Sequence, residues 1–142
     1  MSVVGATGGC LCGNVRYRVK GDSIWSGYCH CASCRRFSGG VVTNWLGIRD
    51  TYLDFTRGQP SHYLDGGVSR GFCRDCGSSL TYESSRFPDY VQLHLGTLDT
   101  PDSVIPEAHV HTAEKVAWFE VDDELPRFAG SAAADSGEWQ KP

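Results

Sequence analysis

The sequence predicts a mainly β protein in which many short strands fold over one another and very little helix forms. Short runs of β-branched and aromatic residues recur along the chain, separated by Gly, Pro, Asp and Ser. Several of these runs alternate apolar and polar residues with the period of a half-buried strand. No amphipathic helix of ten or more residues is found, although residues 32–38 can form a single helical turn and the loop before Val104 another.

The strand candidates follow one another at short intervals. In the first, Val15, Tyr17 and Val19 alternate with basic residues, as in a strand with one buried face. The run at 41–48 is rich in β-branched and aromatic residues, and the run at 90–95 alternates again. The shorter candidates are residues 62–64, 71–73, 80–82, 108–111 and 117–121.

The length and composition suit one domain. The chain has 142 residues, 40% hydrophobic and 21% charged, so we expect a single folded unit over 1–142. Residues 1–8 and 130–142 are small and polar, which predicts mobile tails around an ordered core at about 8–128. We expect Trp118 to close that core near the C-terminal strand.

Charge and hydropathy argue against two classes of partner. The net charge is −4 and the pI is near 5.6, whereas nucleic-acid binders usually carry a basic face. No apolar run approaches the ~18–20 residues that cross a bilayer. The N-terminus has neither the basic nor the apolar region of a secretory signal. We therefore expect a cytoplasmic protein that binds neither nucleic acid nor membrane, and no pattern indicates its oligomeric state.

Cysteine is unusually frequent, with seven in this chain. A disulfide scaffold is disfavoured in a reducing compartment, and an odd count would leave one thiol unpaired. Metal binding is therefore the leading interpretation. The cysteines form three groups along the sequence: Cys10 and Cys12; Cys29, Cys31 and Cys34; Cys73 and Cys76.

Two of the three groups can share one closed metal site. A CxxC turn followed by Gly, as in residues 73–77, aims two thiolates at one point. Together with Cys10 and Cys12 it makes a set of four cysteines, which is the pattern of structural zinc. Such a site would join the first strand region to the middle of the chain and would contribute folding free energy.

The remaining cysteines, Cys29, Cys31 and Cys34, supply three ligands and leave one position open, the pattern of catalytic zinc. Spacing alone leaves alternatives: a histidine could close the site, the thiols could bind another metal, or they could be buried and free. An iron–sulfur cluster is disfavoured because seven cysteines do not make two complete sites. His30, between two ligands, is poorly placed to share their metal. The histidines that could supply a fourth ligand are His62, His94, His109 and His111.

An open site with three thiolates favours thiol chemistry over hydrolysis. Three thiolates over-neutralise Zn²⁺, so such a centre acidifies water less than a site with neutral ligands does. It is better suited to a fourth sulfur. A substrate thiol bound there would be deprotonated and would remain nucleophilic.

The motifs GGCLCGNVRY, CHCASCRRFSGG, FCRDCGSSL and the late WFEV and LPRF resemble those of the glutathione-dependent formaldehyde-activating enzyme family over roughly residues 8–128. The resemblance implies stacked antiparallel sheets, the β-tent, with little helix. It also implies two zinc ions per chain, a structural one and a catalytic one that can be labile. Their ligands would be Cys10, Cys12, Cys73 and Cys76 for the structural zinc, and Cys29, Cys31 and Cys34 for the catalytic zinc.

The family reaction adds the thiol of glutathione to formaldehyde, yields S-hydroxymethylglutathione and is classed as a carbon–sulfur lyase reaction. The resemblance therefore implies an enzyme that adds a small thiol, glutathione or a similar one, to formaldehyde or another small aldehyde. The alternative is a non-catalytic zinc-binding module with two structural metal sites.

Several residues beside the cysteines have both a functional and a structural interpretation. Arg35 and Arg36 could hold a substrate carboxylate, or they could balance the charge of an anionic zinc–thiolate cluster. Trp45 and Phe37 could wall a substrate pocket, although an aromatic residue on a strand usually belongs to the core. His30 could move a proton beside the metal, or it could point outward or bond to the backbone.

Overall fold

The computed structural model of the protein describes residues 2–131, which form a mainly β structure with one α-helix, as predicted. In this part of the chain the strands are β1 (Thr7–Gly9), β2 (Arg16–Val19), β3 (Trp25–Cys29), β4 (Thr43–Arg49), β5 (Leu53–Arg57), β6 (Ser61–Asp65), β7 (Val68–Phe72), β8 (Ser79–Ser84), β9 (Tyr90–His94) and β10 (Ala108–Val110). The helix α1 is Ala32–Ser38, and short 3₁₀ turns lie at Asp50–Tyr52, Leu95–Thr97, Pro101–Ser103 and Thr112–Glu114. None of the helices in this region has the length and apolarity to cross a bilayer.

The strands form two sheets. The smaller has the order β1-β2-β5, and the larger has the order β10-β3-β4-β9-β8-β7-β6. Neighbouring strands are antiparallel except β10, which pairs in parallel with β3. This parallel pair is a local departure from the antiparallel sheets expected. The chain reaches β10 from β9 through two 3₁₀ turns, a connection long enough to bring the strand back in the parallel direction.

The predicted runs recover most strands of the large sheet and one strand of the small sheet. The predicted runs up to residue 111 lie on or overlap β2, β4, β6, β7, β8, β9 and β10, but the run at 117–121 is irregular. Trp118 in that run is 75% exposed, so the expectation that it closes the core is wrong. β1, β3 and β5 are missed, although Leu53, Asp54 and Phe55 at the start of β5 alternate apolar and polar residues. Gly and Ser in WSGYC lower the β propensity of β3, which is nevertheless held by neighbours on both sides.

The N-terminal residues belong to the fold. Val3 is 2% exposed and packs in the main core, and the Gly5 N–H donates to the carbonyl of Val19 at 2.7 Å. The expectation that residues 1–8 form a mobile tail is therefore wrong, because these contacts extend the small sheet. The second expected tail, 130–142, lies outside the described residues except for its first two positions.

The main core joins the two sheets and contains residues from both. Its buried members are Val3, Tyr17, Val19, Leu46, Ile48, Val91, Leu93, Leu95 and Leu98. Two smaller apolar clusters contain cysteines. The first consists of Cys29, Cys34, Trp45 and Val110, and the second consists of Cys10, Val15, Cys73 and Leu80. Each group of thiols therefore has two buried members in an apolar cluster, whereas Cys12 is exposed.

We expect Leu93→Ala, in β9, to lower the free energy of unfolding by about 2–5 kcal/mol, because it leaves a cavity in a fully buried position. Denaturant unfolding of the metal-loaded protein measures this change. Leu64→Ala is the matched control in β6, since Leu64 is 73% exposed and its loss should change stability by less than about 0.5 kcal/mol. Equal effects of the two substitutions would contradict the position of the main core.

Candidate metal centres

One cysteine cluster joins the two sheets. Cys10 and Cys12 follow β1 of the small sheet, whereas Cys73 and Cys76 lie in the turn between β7 and β8 of the large sheet. Their four Sγ atoms lie within 4.8 Å of one another, with 3.6 Å between Cys10 and Cys12 and 3.8 Å between Cys12 and Cys73. Thiolates in a tetrahedron around one zinc, each about 2.3 Å from it, are about 3.8 Å apart. The geometry and the donors fit zinc.

The two turns that carry this cluster are held by their own hydrogen bonds. The Gly77 N–H donates to the carbonyl of Cys73 at 2.7 Å, and Gly77 has a φ of +77°, where glycine is favoured. The Asn14 amide of the first turn donates to the Asp75 carboxylate of the second at 3.1 Å. The two turns are thus bonded to each other as well as brought together by their thiols.

Hydrogen bonds to sulfur favour the thiolate form of Cys76 in this cluster. The Leu11 N–H donates to Ser78 Oγ at 2.9 Å, and Ser78 Oγ lies 3.2 Å from Cys76 Sγ. Hydrogen bonds from Ser78, first from its side chain and then from its backbone, lower the pKa of Cys76 to about 6. The Val15 N–H donates to Cys10 Sγ at 3.2 Å. Because metals bind thiolates, these donors assist metal binding.

The second cluster forms where β3 ends and α1 begins. Cys29 is the last residue of β3, Cys31 caps the N-terminus of α1, and Cys34 lies in the first turn of the helix. Their Sγ atoms lie within 4.8 Å of one another, with 3.7 Å between Cys29 and Cys34. Cys31 Sγ also accepts the Cys34 N–H at 3.3 Å. The strand-to-helix turn therefore directs three soft donors to one point, a set that also fits zinc.

Over residues 2–131, no histidine belongs to the second cluster, which consists of three cysteines. His94 packs on Trp45 with ring centroids 4.0 Å apart, and His109 bonds to His30. His62 lies on the edge strand β6. His111, the fourth candidate, lines the same cavity as the three thiols but does not belong to the cluster, so the alternative of a closed site made of three cysteines and one histidine is not formed in this structure.

The two clusters differ in access. A cavity of about 810 Å³, here called the three-thiol cavity, is lined by Cys29, Cys31 and Cys34 and by none of the other four cysteines. Aromatic side chains, including Trp25 and Tyr82, form part of its walls. The first cluster can hold a metal as a closed set, whereas the second leaves space beside its thiols for another molecule.

A buried arginine faces the second cluster. Arg70 on β7 is 8% exposed, and its Nη1 and Nη2 atoms lie 3.7 and 3.9 Å from Cys34 Sγ. Its guanidinium also lies over the rings of Phe37 and Tyr82, 5.3 and 5.0 Å from their centroids, in cation–π contact. Sequence reasoning missed Arg70 because it lies 36 residues from Cys34 and nothing in its local pattern distinguishes it.

Negative charge in the second cluster is favoured at the sulfur that faces Arg70. Hydrogen bonds from Cys29 and Cys31, and then the positive charge of Arg70, lower the pKa of Cys34 to about 2. Hydrogen bonds with Cys31 and then Cys34 raise the pKa of Cys29. A bound divalent cation would stabilise the remaining thiolates.

The structure places the other residues considered beside the cysteines in different surroundings. Arg35 and Arg36 do not line the three-thiol cavity, and Arg36 is exposed. Trp45 satisfies both interpretations, since it is 2% exposed in the core and also lines the cavity. Phe37 contacts Arg70 rather than the cavity.

A chain of buried hydrogen bonds lies behind the second cluster. His30 Nε2 is 2.9 Å from His109 Nδ1, and His109 Nε2 is 2.9 Å from Asp123 Oδ2. A carboxylate only accepts, so His109 donates from Nε2, and with neutral rings its Nδ1 accepts the Nε2–H of His30. Burial, and then the neighbouring His109, lower the pKa of His30 to about 4, which keeps His30 neutral at pH 7.

These hydrogen bonds attach the segment that carries Cys29, Cys31 and Cys34 to β10 and the residues after it. The His30 N–H donates to the carbonyl of Val110, and the His109 backbone bonds to Pro126 and Phe128. His30 does not line the three-thiol cavity, so its position supports an anchoring role rather than proton transfer to a substrate. No sequence signal connected these residues, which lie far apart in the chain.

Comparisons with known proteins give concordant matches. A family model described as glutathione-dependent formaldehyde-activating enzyme matches residues 5–114. A Halomonas elongata protein provisionally named a glutathione-dependent formaldehyde-activating enzyme is 32% identical over 144 residues, covering 93% of this chain and 92% of that protein. A crystal structure of a Rhodobacter sphaeroides protein is similar with a TM-score of 0.55 at 20% identity, covering 85% of this chain and 98% of that one. This last likeness concerns the fold alone.

We expect substitutions in the two clusters to differ in their effects on the stability of the fold and on metal content. Cys73→Ser should lower the free energy of unfolding by more than about 3 kcal/mol, because structural zinc binding of about 10–16 kcal/mol is linked to folding. Cys31→Ser should leave the fold largely intact and remove one metal ion per chain. Thermal unfolding followed by circular dichroism, together with metal analysis, measures both effects. Equal unfolding of the two variants would show that the clusters do not differ in this way.

We expect Asp123→Ala to lower the free energy of unfolding by about 1–3 kcal/mol, because it leaves a buried His109 N–H without its acceptor. Urea unfolding measures the change. The matched control is Asp122→Ala, since Asp122 is exposed and its loss should cost less than about 0.5 kcal/mol. Equal stability of the two variants would contradict the anchoring role of the hydrogen bonds that join His30, His109 and Asp123.

Proposed function

The chain belongs to the glutathione-dependent formaldehyde-activating enzyme family, and on that premise we propose that it is a zinc-dependent enzyme of the carbon–sulfur lyase type. Its reaction is the addition of a small thiol, glutathione or a similar one, to formaldehyde or another small aldehyde. The observation that carries the proposal is that Cys29, Cys31 and Cys34 line a cavity of about 810 Å³ whereas the other cysteines do not.

Each cysteine cluster receives one zinc ion in this proposal. The catalytic zinc belongs to Cys29, Cys31 and Cys34. The structural zinc belongs to Cys10, Cys12, Cys73 and Cys76. The Sγ spacings and the thiolate donors support the assignment. We take the chain as a single domain of this family, because residues of both sheets share the main core.

The proposed reaction forms one carbon–sulfur bond. The thiol sulfur bonds to the carbonyl carbon, the π electrons of the carbonyl move to its oxygen, and the thiol proton ends on that oxygen. Atoms and electrons balance without an oxidant or a reductant. Cys29, Cys31 and Cys34 would hold the zinc ion, which would supply a Lewis acid that favours the nucleophilic thiolate form of a thiol.

The residues of the cavity bind and orient the reactants. Trp25, Trp45 and Tyr82 provide aromatic walls that reduce the access of water. Burial raises the pKa of Tyr82, so its hydroxyl keeps its proton and can donate a hydrogen bond to a developing alkoxide. Arg49 and Arg86 line the same cavity from exposed positions and can bind a carboxylate of the thiol substrate, the role first expected of the two arginines after Cys34.

We expect the zinc-loaded protein to accelerate exchange between hydrated formaldehyde and its glutathione hemithioacetal. Cys31→Ser should reduce this acceleration by at least about 100-fold, since even partners of metal ligands contribute 10–100-fold. Exchange NMR with ¹³C-labelled formaldehyde measures the rate against the uncatalysed reaction. Leu64→Ala, on the edge strand away from the cavity, should keep the wild-type rate.

A second measurement separates the enzyme from a non-catalytic zinc module. Calorimetric titration of the zinc-loaded protein with glutathione and with other small thiols should show binding that Cys31→Ser removes. Two zinc ions with only protein ligands, and no response to any thiol or aldehyde, would establish the module instead.

A further inference from the structure

Arg70 differs from the other cations of the three-thiol cavity. It is 8% exposed, whereas Arg49 and Arg86 line the cavity from exposed positions. Burial of a guanidinium is costly unless a partner of opposite charge compensates it. The partner therefore has to be found within the protein.

The negative partner of Arg70 is the thiolate cluster. Within residues 2–131 no carboxylate lies within 4.0 Å of its nitrogens, since the ion pairs found there involve other cations. Both terminal nitrogens instead face Cys34 Sγ. The rings of Phe37 and Tyr82 hold the guanidinium plane in this position. The positive charge is thus directed to the sulfurs before any ligand binds.

This placement changes the net charge of a zinc-loaded centre. Three thiolates around Zn²⁺ have a net charge of −1, which Arg70 brings to zero. A fourth ligand that binds as a thiolate then leaves the group at −1, whereas a neutral ligand leaves it at zero. Without Arg70 the same two complexes would have charges of −2 and −1. Because the cost of burying charge rises steeply with its size, the loss of Arg70 penalises the anionic ligand more.

We propose that Arg70 is a specificity-determining residue that shifts the preference of the three-thiol site towards an anionic fourth ligand, a thiolate, relative to a neutral one. The inference rests on the proposed function, since it assumes that a substrate thiol binds beside Cys29, Cys31 and Cys34. It adds to that function the residue that selects the charge of the ligand. Arg70 acts through Cys34, and its charge, rather than its bulk, is the property required.

The test compares two probes of different charge on the fully zinc-loaded protein. 2-Mercaptoethanol binds zinc as a thiolate, and imidazole binds as a neutral ligand. Calorimetric titrations give the ratio of the two affinities for wild type and for Arg70→Met. We expect Arg70→Met to lower this ratio at least about tenfold, mainly through weaker thiol binding. Arg70→Lys, which keeps the charge, should restore the ratio to within about threefold of wild type.

Arg36→Met is the matched control, because it removes one positive charge from the helix of Cys34 at an exposed position that does not line the cavity. Its affinity ratio should stay within about twofold of wild type. Difference spectra of the cobalt(II)-substituted protein assign each probe to the three-thiol site, since a closed site of four cysteines contributes a constant background.

The possible results distinguish a failure of the role of Arg70 from a failure of the proposed function. Thiol binding to wild type with an unchanged ratio in Arg70→Met overturns the role of Arg70 and leaves the proposed function standing. No thiol binding to wild type overturns the proposed function and this inference with it. If Arg70→Met does not fold, Arg70→Lys decides: a ratio near that of wild type supports the charge argument, and a tenfold loss overturns it.

Discussion

The convergence of Cys10, Cys12, Cys73 and Cys76 is the interaction on which the rest of the structure depends. It joins the end of β1 in the small sheet to the turn after β7 in the large sheet, beside the apolar contact of Val15 with the same cluster. Because β7 enters this turn, its position relative to the small sheet is set there. Short strands bury a modest core, so a cross-link at this point contributes more than it would in a larger protein.

The second cluster depends on the same strand. Arg70 lies on β7, three residues before Cys73, and its guanidinium lies beside the thiol of Cys34 on α1. The segment that carries the three cysteines is also held by His30, which bonds to His109 and through it to Asp123. The three-thiol cluster is thus supported both by a cation and by hydrogen-bonded imidazole rings. Such support keeps ligands in place while one face stays open to the cavity.

Most strands could be predicted because alternation reports which face of a strand is buried. Where that signal is absent, prediction fails for identifiable reasons. β3 contains Gly27 between two sheet neighbours, and a Cβ there would contact the ring of Trp25 and the carbonyl of Ala108, so tertiary packing requires a residue of low β propensity. Val3 lies in a short N-terminal stretch without a strand pattern and is buried, whereas Trp118 lies in an apolar run and is exposed.

Local spacing was sufficient to place the seven cysteines in three groups, because CxC, CxxC and strand-to-helix turns direct neighbouring thiols to one point wherever the turns are placed, and the number of ligands indicated which two groups combine. Tertiary structure alone decided which group meets the cavity and what surrounds it. Arg70 reaches Cys34 across 36 residues, and His109 reaches His30 across 79, through strand pairings whose register no local pattern contains. The candidate metal ligands lie on short segments, whereas the charge and the hydrogen bonds that surround them come from distant strands. For this reason the donors could be read from the sequence, and their electrostatic environment required the fold.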